Sequence, residues 1–215
     1  MFKPLRVEVV ARFAAFESFF GAAHGTNHKT VRAQTAKGLA FVQMYAIYEY
    51  TVCTAVQTAI DALVSHRLSR KKLVPSLMTL FLDPQLQSLR DSPLKDVWTR
   101  RLQLFEQVFS SGVATVPNTV LPTDGSHFRH TQLQLIFDVL GIHRTPAQRQ
   151  SHLHRVDEVV NHRNAVAHGR ETAEAIGGRY SREDVLKINK QMKSVCLLFI
   201  SAIEVHCADG LRHST

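Results

Sequence analysis

Apolar residues recur along this chain every three or four positions, and no stretch alternates with the period of two that a half-buried strand needs. In the first segment Val9, Phe13, Phe16 and Phe20 hold the helical spacing. A long helix is predicted from about Val31 to His66, with Val42, Tyr45, Val52, Val56, Ala59 and Leu63 on one stripe. Ser92 and Pro93 read as an N-cap and first-turn proline opening a helix through Trp98 and Phe105. Gly112 to His127, rich in Pro, Thr and Gly, reads as a loop. A short helix through Leu133, Ile136 and Leu140 should stop at Gly141-Ile142 in a left-handed cap.

The last two helices carry the clearest signals. Thr145-Pro146 is a cap and first-turn proline for a helix reaching His168, with Gly169 as its stop. Ser181-Arg-Glu-Asp184 is a capping box with Asp in place of the usual Glu or Gln. The helix it opens repeats Val185, Ile188, Met192, Val195, Phe199 and Ala202, and Gly177-Gly178 falls in the preceding loop. The expected architecture is all-α: one helical bundle of about five to seven helices with an up-and-down core, residues 1–215 forming a single domain.

Composition narrows the class. With 45% hydrophobic and 20% charged residues the chain is an ordinary globular one, so disorder as its main state is excluded. A net charge of +8 favours polyanionic partners without choosing among them. The basic residues are uneven: Ser18 to Tyr48 holds Lys29, Arg32 and Lys37 but no acid, and Arg67, Arg70, Lys71 and Lys72 form a second cluster. Either stretch is a solvated basic face or a nucleic-acid track. Cys53, Cys196 and Cys207 are dispersed and odd in number, with Cys53 and Cys196 in apolar helical stretches as core thiols, so a reducing cytoplasm is expected. Glu8, Arg12 and Glu17 interrupt the apolar N-terminus, so no secretory segment is expected. Gln43 and Glu49 within Gly38 to Val56 favour a buried helix over a membrane span, and no membrane partner is expected.

One helix carries chemistry. On the helix ending at His168, Leu153, Val156, Val159, Val160, Val166 and Ala167 define an apolar arc of roughly 140° with Arg163 near its middle. A guanidinium there stays charged and needs a carboxylate or an anionic ligand. Asn164 and His168, four residues apart, sit at the edge of the same face and can address one object. Arginine can fork onto phosphate oxygens, an imidazole can move protons near neutrality, and asparagine can hold an oxygen or orient the ring. That set suits an RNA phosphodiester, whose own 2′-hydroxyl is the nucleophile, so neither metal nor cofactor is expected. His152 and His154 point to different sides of their helix and make no zinc spacing. His127, Arg129 and His130 precede a helix and could touch phosphate, although a polar loop is the better account of them.

His162-Arg163-Asn164-Ala165-Val166-Ala167-His168-Gly169 resembles the R-N-x-x-x-H signature of the HEPN superfamily, in the wording of its RiboL-PSP-like members. Tyr45 to Tyr50 is similar to the aromatic-rich early helix of those proteins, and Leu133 to Ile142 to another of their segments. The resemblance implies a helical bundle that dimerises through the motif-bearing helices into a composite cleft. It implies a metal-independent endoribonuclease, often a toxin or defence effector, with an antitoxin or regulatory protein as a further partner. The alternative it leaves open is a non-catalytic module binding RNA, a nucleotide or a protein; a purely structural helical dimer is a third reading. Arg163 and His168 would be the catalytic residues and Asn164 the substrate-orienting one. Glu49, in register with Val42, Tyr45, Val52 and Val56, is a second ionisable group on a core-facing stripe. It is expected to support the site by pairing with Arg163, the other reading being that it accepts hydrogen bonds from tyrosines or sits at a wet interface.

Overall fold

A computed structural model describes residues 1–24, 29–115, 128–142 and 150–209. Among these are eight α-helices, seven of ten residues or more, and no strand. They are α1 (Lys3–His24), α2 (Val31–Ser65), α3 (Pro75–Arg90), α4 (Val97–Phe109), α5 (His130–Val139), α6 (Gln150–Ala167), α7 (Ala173–Gly177) and α8 (Arg182–Asp209). The chain is all-α, as its periodicity predicts. Two compact units form: the first takes in Met1–Ala55, His127–Leu133 and Thr145–Ala202, the second Val56–Ser126, Gln134–Arg144 and Ile203–Thr215.

In the first unit most of the predicted stripe positions become the core, but Val42 on α2 and Leu153 on α6 are only half-buried, and Phe41 and Tyr48, off the predicted α2 stripe, are buried instead. Val9, Phe13, Phe16 and Phe20 of α1 are buried, as are Phe41, Tyr45, Tyr48 and Val52 of α2. Val156, Val159 and Val160 of α6 and Val185, Ile188, Met192, Val195 and Phe199 of α8 complete it. Polar ties fix the helices in register. Asn189 Nδ2 of α8 donates to Glu17 Oε1 of α1 at 2.9 Å, and Arg155 Nε of α6 donates to Gln191 Oε1 of α8 at 2.9 Å. Helix α8, Arg182–Ala208, is long and apolar enough to cross a membrane by length and composition alone, yet this stripe lies in the core.

The start of α8 is the expected capping box: Asp184 N–H donates to Ser181 Oγ at 3.0 Å, and Ser181 N–H to the Asp184 carboxylate at 2.9 Å. Aspartate therefore serves at the third position, and these bonds hold its carboxyl below the usual range. The segment before it is not simply a loop. Thr172 caps the five-residue α7 by accepting from Ala175 N–H, and Gly177 belongs to that helix. Here α7 and α2 meet backbone to backbone. A Cβ on Gly38 would lie 1.9 Å from the Ala173 carbonyl oxygen, and one on Gly177 1.8 Å from that of Gln34.

The acid-free stretch is only partly a basic face. Arg32 is exposed, but Lys37 is buried, with Nζ donating to the Tyr180 carbonyl at 2.5 Å. Burial keeps the Cys196 thiol protonated, its pKa pushed up to about 12; the three cysteines form no disulfide, Cys196 is a core thiol as expected, and Cys53 is only half-buried.

The second unit departs further from the sequence pattern. Helix α3 occupies a stretch to which that pattern assigned no element; Pro75 starts it and Pro84 sits inside it, where a proline would ordinarily argue against a helix. Ser92-Pro93 does not cap α4. Pro93 instead precedes a single 3-10 turn, Leu94–Asp96, and α4 begins at Val97 with no side-chain cap. From the second basic cluster, Arg70 is committed internally, its guanidinium bonding Gln107 and, at 2.7 Å, Ser110 Oγ. Helix α4 lays half-buried Leu104 and Val108 inward, and no residue of it is fully buried. Its outer stripe of Trp98, Leu102, Phe105 and Phe109 is 58–75% exposed. The predicted loop lies outside the described residues from 116 on, as does the Thr145-Pro146 start of α6.

Candidate functional site

Helix α6 ends where the glycine requires it to. Gly169 has φ +65°, a conformation that an L side chain adopts only with strain, and its N–H bonds the Val166 carbonyl at 3.1 Å. Arg170 N–H reaches back to the Ala165 carbonyl at 2.9 Å. Together these bonds make a Schellman closure, with His168 at the helix C-cap. The same pair of bonds closes α5 at Gly141, φ +75°, from Gly141 N–H to Asp138 and from Ile142 N–H to Phe137. The three side chains of the RN…H sequence thus stand on a helix terminus whose direction the backbone fixes.

Burial falls along the last two turns of α6. Val156, Val159 and Val160 are buried and Asn164 is 6% exposed, whereas Arg163 is half-buried and Ala167, His168 and Arg170 are exposed. The apolar arc therefore stops short of its predicted end: Ala167 is not a core residue, because the helix leaves the core before it. Asn164 is the buried polar member of the motif, and Arg163 reaches the boundary with solvent.

Arg163 is held from two sides. Its Nη1 donates to Asn164 Oδ1 at 3.0 Å, and its Cζ lies over the Tyr45 ring, 4.8 Å from the centroid, a cation–π arrangement. Tyr45 in turn donates its hydroxyl to Glu49 Oε1 at 3.1 Å. Burial, reinforced by the Glu49 charge, pushes the Tyr45 phenol up to about 12, so it stays a neutral donor. The expected pairing of Glu49 with Arg163 takes a different form. Among the described residues no ion pair joins the two; the tyrosine stands between them, its hydroxyl on the carboxylate and its ring face under the guanidinium. A tyrosine on the same stripe as Glu49, four residues away, was the signal for this relay.

The preceding residue serves the scaffold. His162 Nε2 lies 2.6 Å from Tyr180 Oη, which donates to Glu158 Oε1 at 2.8 Å, and its ring meets Phe41 edge-on with centroids 4.7 Å apart. Burial lowers the His162 pKa and raises that of Tyr180, so both are neutral at neutral pH. Glu158 also pairs with Arg155, one turn back on α6.

At the start of α5, Arg129 and His130 reach across to α6, a contact that neither sequence reading of them, phosphate ligand or polar loop, foresaw. His130 Nδ1 lies 2.5 Å from Asp157 Oδ2, its backbone N–H donates to Asp157 Oδ1 at 3.2 Å, and Arg129 Nη2 donates to Asn161 Oδ1 at 2.9 Å. His127 lies outside the described residues.

The model of an HEPN family, HEPN_MAE_28990-like HEPN, matches residues 14–209 of the chain. No curated protein and no solved structure shows significant similarity to it.

Proposed function

Because the chain belongs to the HEPN superfamily, and so to a group of nuclease or RNA-related modules, we propose that it is a metal-independent endoribonuclease. The observation that carries this reading is the state of Arg163. A permanently charged guanidinium is held by the Asn164 amide and the Tyr45 face, five residues from an exposed imidazole at the same helix end.

In the proposed reaction a phosphodiester lies across the C-terminal turn of α6. His168 takes the proton of the ribose 2′-hydroxyl, or delivers one to the leaving 5′-oxygen, as that hydroxyl oxygen attacks phosphorus. The 2′-oxygen–phosphorus bond forms, the phosphorus–5′-oxygen bond breaks, and the products carry a 2′,3′-cyclic phosphate and a 5′-hydroxyl. Arg163 stabilises the charge that accumulates on the non-bridging oxygens. Asn164 acts through Arg163, holding its plane, with Glu49 and Tyr45 setting the ring beneath it. One imidazole cannot serve as base and acid at once, so a second copy of the chain, with its own α6 facing the first, supplies the other group. In the cell such an activity calls for a regulatory protein partner and fits a toxin or defence effector.

The test is incubation with single-stranded RNA in EDTA, followed by analysis of the product ends. Cleavage that leaves cyclic phosphates and falls about 100-fold or more in both Arg163→Ala and His168→Ala, with melting temperature kept, is the expected result. Tight RNA binding without cleavage by the wild-type chain sinks the catalytic reading and leaves a binding module.

A further inference from the structure

Asp157, Asn161, Asn164 and His168 follow one another on α6 at intervals of four, three and four residues and so share one side of the helix. The two nearer its N-terminus grip the pair Arg129 and His130. The Arg129 guanidinium is bound by a carboxamide, which leaves its charge intact, and among the described residues it forms no ion pair. His130 is held by Nδ1 and by its backbone N–H on the same carboxylate, while its side chain is 46% exposed, so Nε2 is the atom it offers outward. A permanent donor, Arg129, and an imidazole whose Nε2 donates when the ring is protonated are thus set on the helix that carries the RN…H motif. The positive charge elsewhere is partly spent inside the fold, by Lys37 on a carbonyl and by Arg70 on Gln107 and Ser110.

We infer that Arg129 and His130 form a second phosphate-binding station for an RNA strand, with Asn161 and Asp157 as their positioning residues. The inference rests on the nuclease reading only for which phosphate is the scissile one. At 1.5 Å per residue, Asn161 and Asp157 lie roughly 10 to 16 Å along the axis from His168. That is too far for one phosphodiester to touch both, so the station holds a phosphate a few nucleotides from the cut. Arg129 grips non-bridging oxygens through its free donors, and His130, with Nδ1 donating to Asp157, adds a single hydrogen bond from Nε2 when its ring carries both protons. The consequence is a preference for length: an oligonucleotide spanning both stations is cleaved more efficiently than a dinucleotide, which reaches only the motif.

Two probes test it with the full chain: a dinucleoside monophosphate against an RNA octamer for cleavage, and a 2′-O-methyl octamer, which cannot be cleaved, for binding by fluorescence anisotropy across a salt series. The variants are Arg129→Gln, which can keep a hydrogen bond to Asn161 while losing the charge, His130→Gln, and Asp157→Asn as the positioning control. Each of the first two should lower the octamer-to-dinucleotide ratio of kcat/KM by about tenfold, the effect of one charge-assisted contact. Arg129→Gln should also flatten the salt dependence of octamer binding by about 0.7 in log–log slope. In contrast, Arg163→Ala should lose cleavage of both substrates. If the wild-type chain cleaves neither, the nuclease reading fails by itself and the binding series alone decides the station. An unchanged ratio and an unchanged slope in folded variants, or equal losses on short and long substrates, overturn it.

Discussion

The two units spend their apolar residues differently. In the unit that carries α6, helical stripes of α1, α2 and α8 and the middle of the α6 stripe are buried, and Asn189 Nδ2 and Lys37 enter the core on Glu17 and the Tyr180 carbonyl, while Asn189 Oδ1 has no partner among the described residues. In the other, α4 buries no residue fully and turns Trp98, Leu102, Phe105 and Phe109 outward. The RN…H motif stands on the first kind of scaffold. That is physically sensible, because a guanidinium and an imidazole can address one phosphate only if the helix beneath them does not move. The weakly buried helix carries no such constraint.

Truncating a core aromatic should expose that contrast most strongly. Phe13→Ala removes a fully buried ring and should cost about 3–5 kcal/mol in denaturant unfolding, whereas Phe105→Ala, at an exposed site of the same chemistry, should stay within about 0.5 kcal/mol. Equal costs at both positions would mean that the α4 stripe is covered in solution. Next in size is the glycine contact between α2 and α7. Gly38→Ala puts a methyl group into the Ala173 backbone, which cannot yield as a side chain tip can, and a loss of about 1–3 kcal/mol is expected. Gly169→Ala meets nothing within 4 Å and is strained only by its φ of +65°, so a smaller loss, about 1 kcal/mol, should separate conformation from crowding.

The smallest effect concerns acid. His162 has a folded-state pKa below its unfolded value because burial penalises the charged ring. Its neutral state is therefore a source of stability that is fully present above the unfolded value of about 6.5 and is lost as pH falls below it. Melting temperatures at pH 7.5 and pH 5 should differ less in His162→Gln than in the parent chain. A parent whose stability is level over that range would show that the ring is protonated as easily inside as outside.

Much of the fold was legible because its signals are local. A period of 3.6, a glycine at the close of α5 and α6 and the Ser181–Asp184 box each act within a few residues, so the sequence is sufficient to read them. Helix α3 was not legible, because a proline in the middle of a pattern argues against a helix that the surrounding packing nevertheless supports. Nor was the true edge of the α6 arc: where a helix leaves the core depends on what lies beside it, and Ala167 carries no mark of being outside.

The candidate site divides along the same line. That Arg163, Asn164 and His168 share the closing turns of one helix follows from their spacing and from Gly169 alone, since helix geometry is set by the backbone. Tertiary structure decided the rest: Tyr45, not a direct carboxylate, lies against the guanidinium, and Arg129 and His130 come to rest on Asp157 and Asn161. Those contacts join residues 27 to 118 positions apart in the chain, and no local rule reaches that far, because they exist only once separate helices have packed their apolar faces together.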